Sequence, residues 1–112
     1  MNNFIVVFVT VKDRTEAKKL TKALLGKKLA ACVNIIPKVE SAYWWKGKIE
    51  KADELLLIIK TRKSLLNKLI IEVKKNHSYT VPEIISLPIT GGNKDYLNWI
   101  GESTKYDVQS TK

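Results

Sequence analysis

The sequence predicts an α+β domain of β-α-β-β-α-β order with a further helix at its C-terminal end. Three observations carry that prediction. Four apolar runs rich in β-branched residues are separated by two segments whose apolar residues recur at helical spacing. A Lys46-Gly47 turn joins the second and third runs directly, as in an antiparallel hairpin. No linker, repeat or low-complexity stretch divides the 112 residues, and that length suits one domain spanning 1–112.

Phe4 to Val11 is a continuous β-branched run and reads as a strand buried on both faces. Asp13 with Glu16 three residues later forms a capping-box signature. Ala17, Leu20, Ala23 and Leu24 then give one apolar helix face, and the helix should end near Gly26 to Lys28. Ala30 to Ile36 opens a second strand that continues past Pro37 towards Trp45. Pro37 has no N–H to give a ladder, so it marks an edge, a bend or a bulge. The chain returns from Lys48 into Leu55 to Ile59. Thr61 or Ser64 can cap a second helix whose buried stripe is Leu65, Leu66, Leu69, Ile70 and Val73.

His77 to Pro82 is irregular. Glu83 to Thr90 reads as the fourth strand, with Pro88 marking a sheet edge. Gly91-Gly92 turns the chain, and Asn93 caps a last helix carrying Tyr96, Leu97, Trp99 and Ile100. The polar end from about Thr104 to Lys112 reads as a loose tail. This order is the ferredoxin-like plan: a four-stranded antiparallel sheet with two helices on one face. The hairpin strands are longer than a small sheet needs, and Tyr43-Trp44-Trp45 sits near their tip. Long arms with open edges and apolar tips call for a second subunit.

Composition narrows the classes of function. Hydrophobic residues at 45% and charged residues at 28% argue for a folded domain and against disorder. The net charge of +9 raises nucleic acid, an anionic membrane or an acidic partner. The lysines are scattered, however, and only Arg14 and Arg62 supply the guanidinium favoured for bidentate phosphate and base recognition. We read the lysines as solvated helix faces and expect no specific nucleic-acid binding. Phe4 to Val11 follows no basic residue and is followed by Lys12, Asp13 and Arg14, so it reads as a strand and not as a signal peptide. No apolar run approaches the roughly 20 residues of a membrane helix. The single cysteine, Cys32, allows no intrachain disulfide and favours a reducing, cytoplasmic setting.

Five short motifs then meet in order. They are Leu29-Ala30-Ala31-Cys32-Val33-Asn34-Ile35, Ser41 to Ile49, Lys60-Thr61, His77 to Ile84, and Gly92 to Ile100. Each resembles a stretch of the CutA divalent-cation-tolerance family, at that family's spacing, over roughly residues 4–104. The resemblance implies a ferredoxin-like protomer, a homotrimer whose sheets join through the long hairpins, and a link to tolerance of copper and other divalent metal ions. Trimeric burial would also give high thermal stability. Two departures stand out: Ser78 where the family usually has proline, and Thr80 where an acidic residue is common. Some bacterial members carry a first-strand cysteine where Val9 stands here, which removes a soft metal ligand.

Candidate metal ligands are His77, Glu83 and Cys32. His77, the only histidine, is either a ligand or a structural hydrogen-bonder. With Glu83 six residues on it could hold a weakly bound Cu²⁺ or other divalent cation, water or another subunit completing the shell; the alternative is a strand-end hydrogen bond. No cofactor is required. Cys32 between Ala31 and Val33 reads as a buried small hydrophobe. Tyr43, Trp44, Trp45, Tyr79 and Trp99 supply core or subunit-interface packing or line a ligand pocket, and Lys60 beside them could meet an anion. No nucleophile–base pair or phosphate loop is visible, so the chain does not read as an enzyme. The third strand, Glu54 to Lys60, carries no stacking ring for RNA. A small-ligand or anion sensor built like the nitrogen-regulatory trimers, or an interaction scaffold, is the alternative function.

Overall fold

In a computed structural model that describes residues 3–105, the elements follow the expected order. They are β1 (Phe4–Val11), α1 (Arg14–Gly26), β2 (Cys32–Trp45), β3 (Lys48–Arg62), a single 3-10 turn (Lys63–Leu65), α2 (Leu66–Asn76), β4 (Ile84–Pro88) and α3 (Lys94–Ser103). The strands form one antiparallel sheet in the order β2-β3-β1-β4.

Alternation decides which side of the sheet is core. Ile5, Val7, Val9 and Val11 of β1 and Leu57 and Ile59 of β3 are buried. They pack with Ala17, Leu20 and Leu24 of α1 and Leu69 and Val73 of α2 in a single cluster. The alternate β1 residues Val6 and Phe8 are only half-buried, so β1 is not buried on both faces as its unbroken apolar run suggests. The physical reason is that only one sheet face carries the two long helices. On the other face α3 covers just the end, where its Gly101 lies close to Phe4 and its backbone carbonyl accepts from Arg62.

The end of α3 is firmly held. Thr104, expected to begin a loose tail, is fully buried. Its hydroxyl donates to the Ile100 carbonyl at 2.7 Å and accepts from Arg62 Nε at 3.1 Å. The remaining tail from residue 106 lies outside the described residues.

The caps are partly as expected. Asp13 accepts from the Glu16 N–H at 2.9 Å, and Asn93 accepts from the Asp95 N–H at 3.0 Å. Neither Thr61 nor Ser64 caps α2, which is entered instead through the 3-10 turn without a side-chain cap. Thr61 faces the core at the end of β3 and donates to the Leu29 carbonyl at 2.7 Å. The expected stripe of α2 is buried at Leu65, Leu69 and Val73, whereas Leu66 and Ile70 sit at its margin. Strand β4 is shorter than the apolar run, so Glu83 precedes it.

Two backbone features shape the hairpin. Between Ile36 and Val39 the β2–β3 register slips, with Lys38 at φ 62° beside Pro37. That is a bulge on an edge strand, where the missing proline N–H costs least. At the tip, Trp45 pairs with Lys48 across Lys46 at φ 52° and Gly47 at φ 80°. Both central residues have positive φ, as the tight hairpin turn that matches strand twist requires.

Helices α1 and α2 are clamped by the Lys27 Nζ–Glu72 Oε1 ion pair at 2.9 Å. The Lys27 hydrogen bond holds the largely buried Glu72 carboxyl below its ordinary 4.5, against the opposing effect of burial. A depressed folded value means the unfolded chain binds this proton first. The clamp is therefore intact above pH 4.5 and is lost as pH falls through the lowered folded value. Glu72→Gln should destabilise the neutral-pH protein by about 1 kcal/mol. Thermal melts across the acid range should also show a shallower loss of stability in the variant.

Candidate functional site

A concavity lies where the hairpin leaves the body of the sheet. It encloses about 870 Å³. Residues Glu40 to Trp45 of β2, the loop from Ser78 to Glu83, and Thr10 and Glu54 from the adjoining strands line it. Its shape depends on the loop after α2, which has no strand partners of its own and is pinned by side chains.

His77 fixes the start of that loop. Its Nε2 is 2.7 Å from the Thr10 carbonyl, which can only accept, and its Nδ1 accepts from the Tyr79 N–H at 3.0 Å. The two bonds together specify the neutral tautomer protonated on Nε2. Ser78 donates twice to Glu16, from its N–H at 2.6 Å and its hydroxyl at 3.1 Å. Glu16 also accepts weakly from the Lys12 N–H at 3.4 Å. Its carboxylate thus serves this loop, and does not close the reciprocal capping box with Asp13. Proline at position 78 could not make the first of these bonds, so the departure at Ser78 has a local role.

Tyr79 reaches across to β3. Its hydroxyl donates to Glu54 Oε2 at 2.8 Å, and Glu54 is only 6% exposed. Burial pushes the Tyr79 hydroxyl well above its ordinary 10, and the hydrogen bond and charge of Glu54 push it further. The Tyr79 and His77 rings lie 4.8 Å apart. Glu40 and Glu83 are exposed, as is Trp44 at 72%, while Lys46 Nζ sits 5.9 Å over the Trp45 ring at the hairpin tip.

The expected site residues therefore divide into two groups. Tyr43, Trp44, Trp45, Tyr79 and Glu83 share the cleft. Lys60, Cys32 and Trp99 belong to a different place, at the opposite end of the hairpin. Lys60 does not end β3 and does not lie beside Trp45: it pairs in register with Cys32, and its ammonium donates to Asn34 Oδ1. The Cys32 thiol, half-buried where full burial was expected, lies 3.7 Å from the same Asn34 oxygen. Burial first, and then the neighbouring Cys32, raise the Tyr96 hydroxyl above its ordinary value, and Trp99 stacks against Tyr96 at 5.3 Å.

Metal ligation finds little support in a single protomer. Both His77 nitrogens are engaged with the backbone. Among the described residues, no three His, Cys, Asp or Glu side chains gather so as to hold a metal ion. Val9 is fully buried among the core residues, so its position is not open to a surface metal. The residues that a sequence reading passes over are Glu54 and Glu40. The one available signal is Glu54 as the second of an acidic pair, Asp53-Glu54, directly before the apolar run Leu55 to Ile59.

Known proteins resemble this chain closely. A family model described as CutA1 divalent ion tolerance protein matches residues 5–103. The Oryza sativa chloroplastic protein CutA 1 is 55% identical over 101 residues, covering 90% of this chain and 57% of its own length. This chain thus spans little more than half of that plant relative. The Thermus thermophilus divalent-cation tolerance protein CutA is 48% identical, with 88% of this chain and 96% of its own covered. Among solved structures, CutA1 from Oryza sativa superposes with a TM-score of 0.91 at 53% identity, covering 95% of this chain and 97% of its own. CutA from Archaeoglobus fulgidus, called periplasmic, gives 0.89 at 45% identity, covering 91% and 99%.

The Tyr79–Glu54 bond generates a prediction. Tyr79→Phe removes the hydroxyl donor to a buried carboxylate and should cost about 1–3 kcal/mol, the penalty for stripping a buried group of its partner. Because the folded Tyr79 value is raised, its contribution is whole below pH 10 and declines as pH rises beyond that. Alkaline spectrophotometric titration should show one fewer late-ionising tyrosine in the variant than in the wild type, Tyr96 being raised in both.

Proposed function

The chain belongs to the CutA1 divalent ion tolerance family, and we propose that it serves divalent-cation tolerance as a homotrimer. The observation that carries the oligomeric reading is the ribbon. Strand β1 pairs with β3 only from Leu55 to Arg62, so among the described residues Lys48 to Glu54 has β2 as its sole strand partner. A free two-stranded ribbon is marginal in water, and this one exposes Tyr43, Trp44, Trp45 and Ile49. The sheet face without the long helices also exposes Ile36, Ile85 and Leu87. A closed ring of three copies would bury these surfaces and raise thermal stability. Light scattering should return three times the protomer mass at micromolar concentration; a stable monomer would defeat the reading.

Metal contact, in this proposal, is weak. Glu83 supplies a carboxylate in the cleft, with water completing the shell, and His77 joins only by giving up its bond to the Tyr79 N–H. Carboxylate oxygen is a poor match for copper without nitrogen or sulfur beside it. Calorimetric titration of Cu²⁺ at neutral pH should show shallow binding that Glu83→Gln weakens further. No heat in either protein would make the link to cation tolerance indirect. The open, aromatic-lined cleft favours a second reading, that of a small-ligand sensor.

A further inference from the structure

We propose that the outer face of the α1–α2 layer binds the phosphate backbone of duplex nucleic acid without regard to sequence. The inference goes beyond the tolerance reading and does not depend on it. The two helices lie on the opposite side of the sheet from Ile36, Ile85 and Leu87, so a trimer closed over those residues leaves this layer outside.

The fold gathers what the sequence scatters. Residues 12–28 and 63–75, which hold the two helices and their flanks, carry eleven of the chain's 20 basic residues and three of its 11 acids. That balance is +8 of the chain's +9. All eleven basic side chains are exposed. The acids answer few of them. Glu16 and Glu72 are buried, Glu16 accepts from Ser78, and Asp13 caps α1. Glu72 meets Lys27 at 2.9 Å and Lys75 at 3.9 Å. Arg14, Lys18 and Lys22 join no ion pair among the described residues.

This pattern works against the helix that carries it. Arg14, Lys18 and Lys22 stand four apart and so form one row along α1. Like charges at that spacing destabilise a helix, and a cation in the first turn opposes the helix dipole. A polyanion laid along the row would offset both effects. At 1.5 Å per residue α1 is about 20 Å long, a stretch over which a duplex presents about twelve phosphate charges.

Other anions fit this face less well. Neither stretch holds a Phe, Trp or Tyr, so unpaired bases find no ring to stack on. The apolar sides of both helices are committed to the core and leave only Leu25 and Ile71 exposed as large hydrophobics, too little to enter a lipid interface. Arg14 is the one guanidinium of these stretches, so the lysines meet phosphate as point charges and read no base.

The test is fluorescence anisotropy of the full chain with labelled duplex DNA of two unrelated sequences, across a range of salt. Equal binding of both duplexes is expected. If about half of the eleven cations reach phosphate, log affinity should fall against log salt with a slope of about −5. Lys18→Gln/Lys19→Gln/Lys22→Gln should reduce that slope by about 2–3 and weaken binding at low salt by about tenfold or more. Lys48→Gln/Lys51→Gln/Lys94→Gln removes the same charge from outside the layer and should leave the slope unchanged. All six side chains are exposed, and circular dichroism checks that both variants fold. No binding by the wild type at low salt, or equal effects of the two triple variants, would overturn the proposal. So would preference for one duplex sequence, or tighter binding of single-stranded DNA or phosphatidylserine vesicles than of the duplex.

Discussion

Strand β3 is fifteen residues long and its inner neighbour β1 only eight. That mismatch governs the molecule. Over residues 55–62 the sheet has helices behind it and a core to fill. Beyond them the hairpin continues as a two-stranded ribbon with no third strand paired to it among the described residues. Each irregularity of the hairpin falls in the part that has left the core. The slip at Pro37 and Lys38 stands at the junction, and the positive-φ pair Lys46 and Gly47 stands at the tip. The bulge re-aims the ribbon by adding local twist. The cleft lies between the start of this ribbon and the Ser78–Glu83 loop.

The loop, in turn, is rigid without secondary structure. Three consecutive residues each tie it to a different element: His77 to β1, Ser78 to α1 through Glu16, and Tyr79 to β3 through Glu54. Loops normally satisfy their backbone with water. Here buried acids and a carbonyl do that work, and one of those acids, Glu16, stands in the first turn of α1. The lone histidine is the clearest case. Its tautomer is dictated by one acceptor and one donor from the backbone, which is a structural role in the chemistry of imidazole and leaves no lone pair facing outward.

Element order, the Asp13 and Asn93 caps, the Pro37 bulge and the Lys46-Gly47 turn were legible because each rests on residues within a few positions of one another. The cleft was half legible. Tyr43, Trp44, Trp45 and Tyr79 announce themselves by size, but the partner of Tyr79 does not, since nothing near residue 79 indicates a carboxylate 25 positions earlier. Lys60 was assigned to the wrong end of the hairpin because sequence distance from Trp45 says nothing about strand direction. The register, which sets Lys60 opposite Cys32, is the missing information. Thr104 looked like tail because a polar residue after a helix usually is one; its burial depends on Arg62, reached only through the fold. Thr61 failed as a cap for a similar reason. Its hydroxyl was already committed to Leu29 across the core.

Net charge misleads about this site for a related reason. A charge of +9 is a property of the whole chain, and it acts at long range only where salt permits. At physiological ionic strength the Debye length is about 8 Å, so lysines on the outer faces of α1 and α2 are largely screened from a cleft on the far side of the sheet. What a ligand meets is the local set, and the local set is acidic and aromatic. Burial sharpens the contrast, because Glu54 sits where water cannot screen it. The overall charge therefore bears on encounter and solubility, while the lining of the cleft is set by the few residues that the ribbon and loop place there.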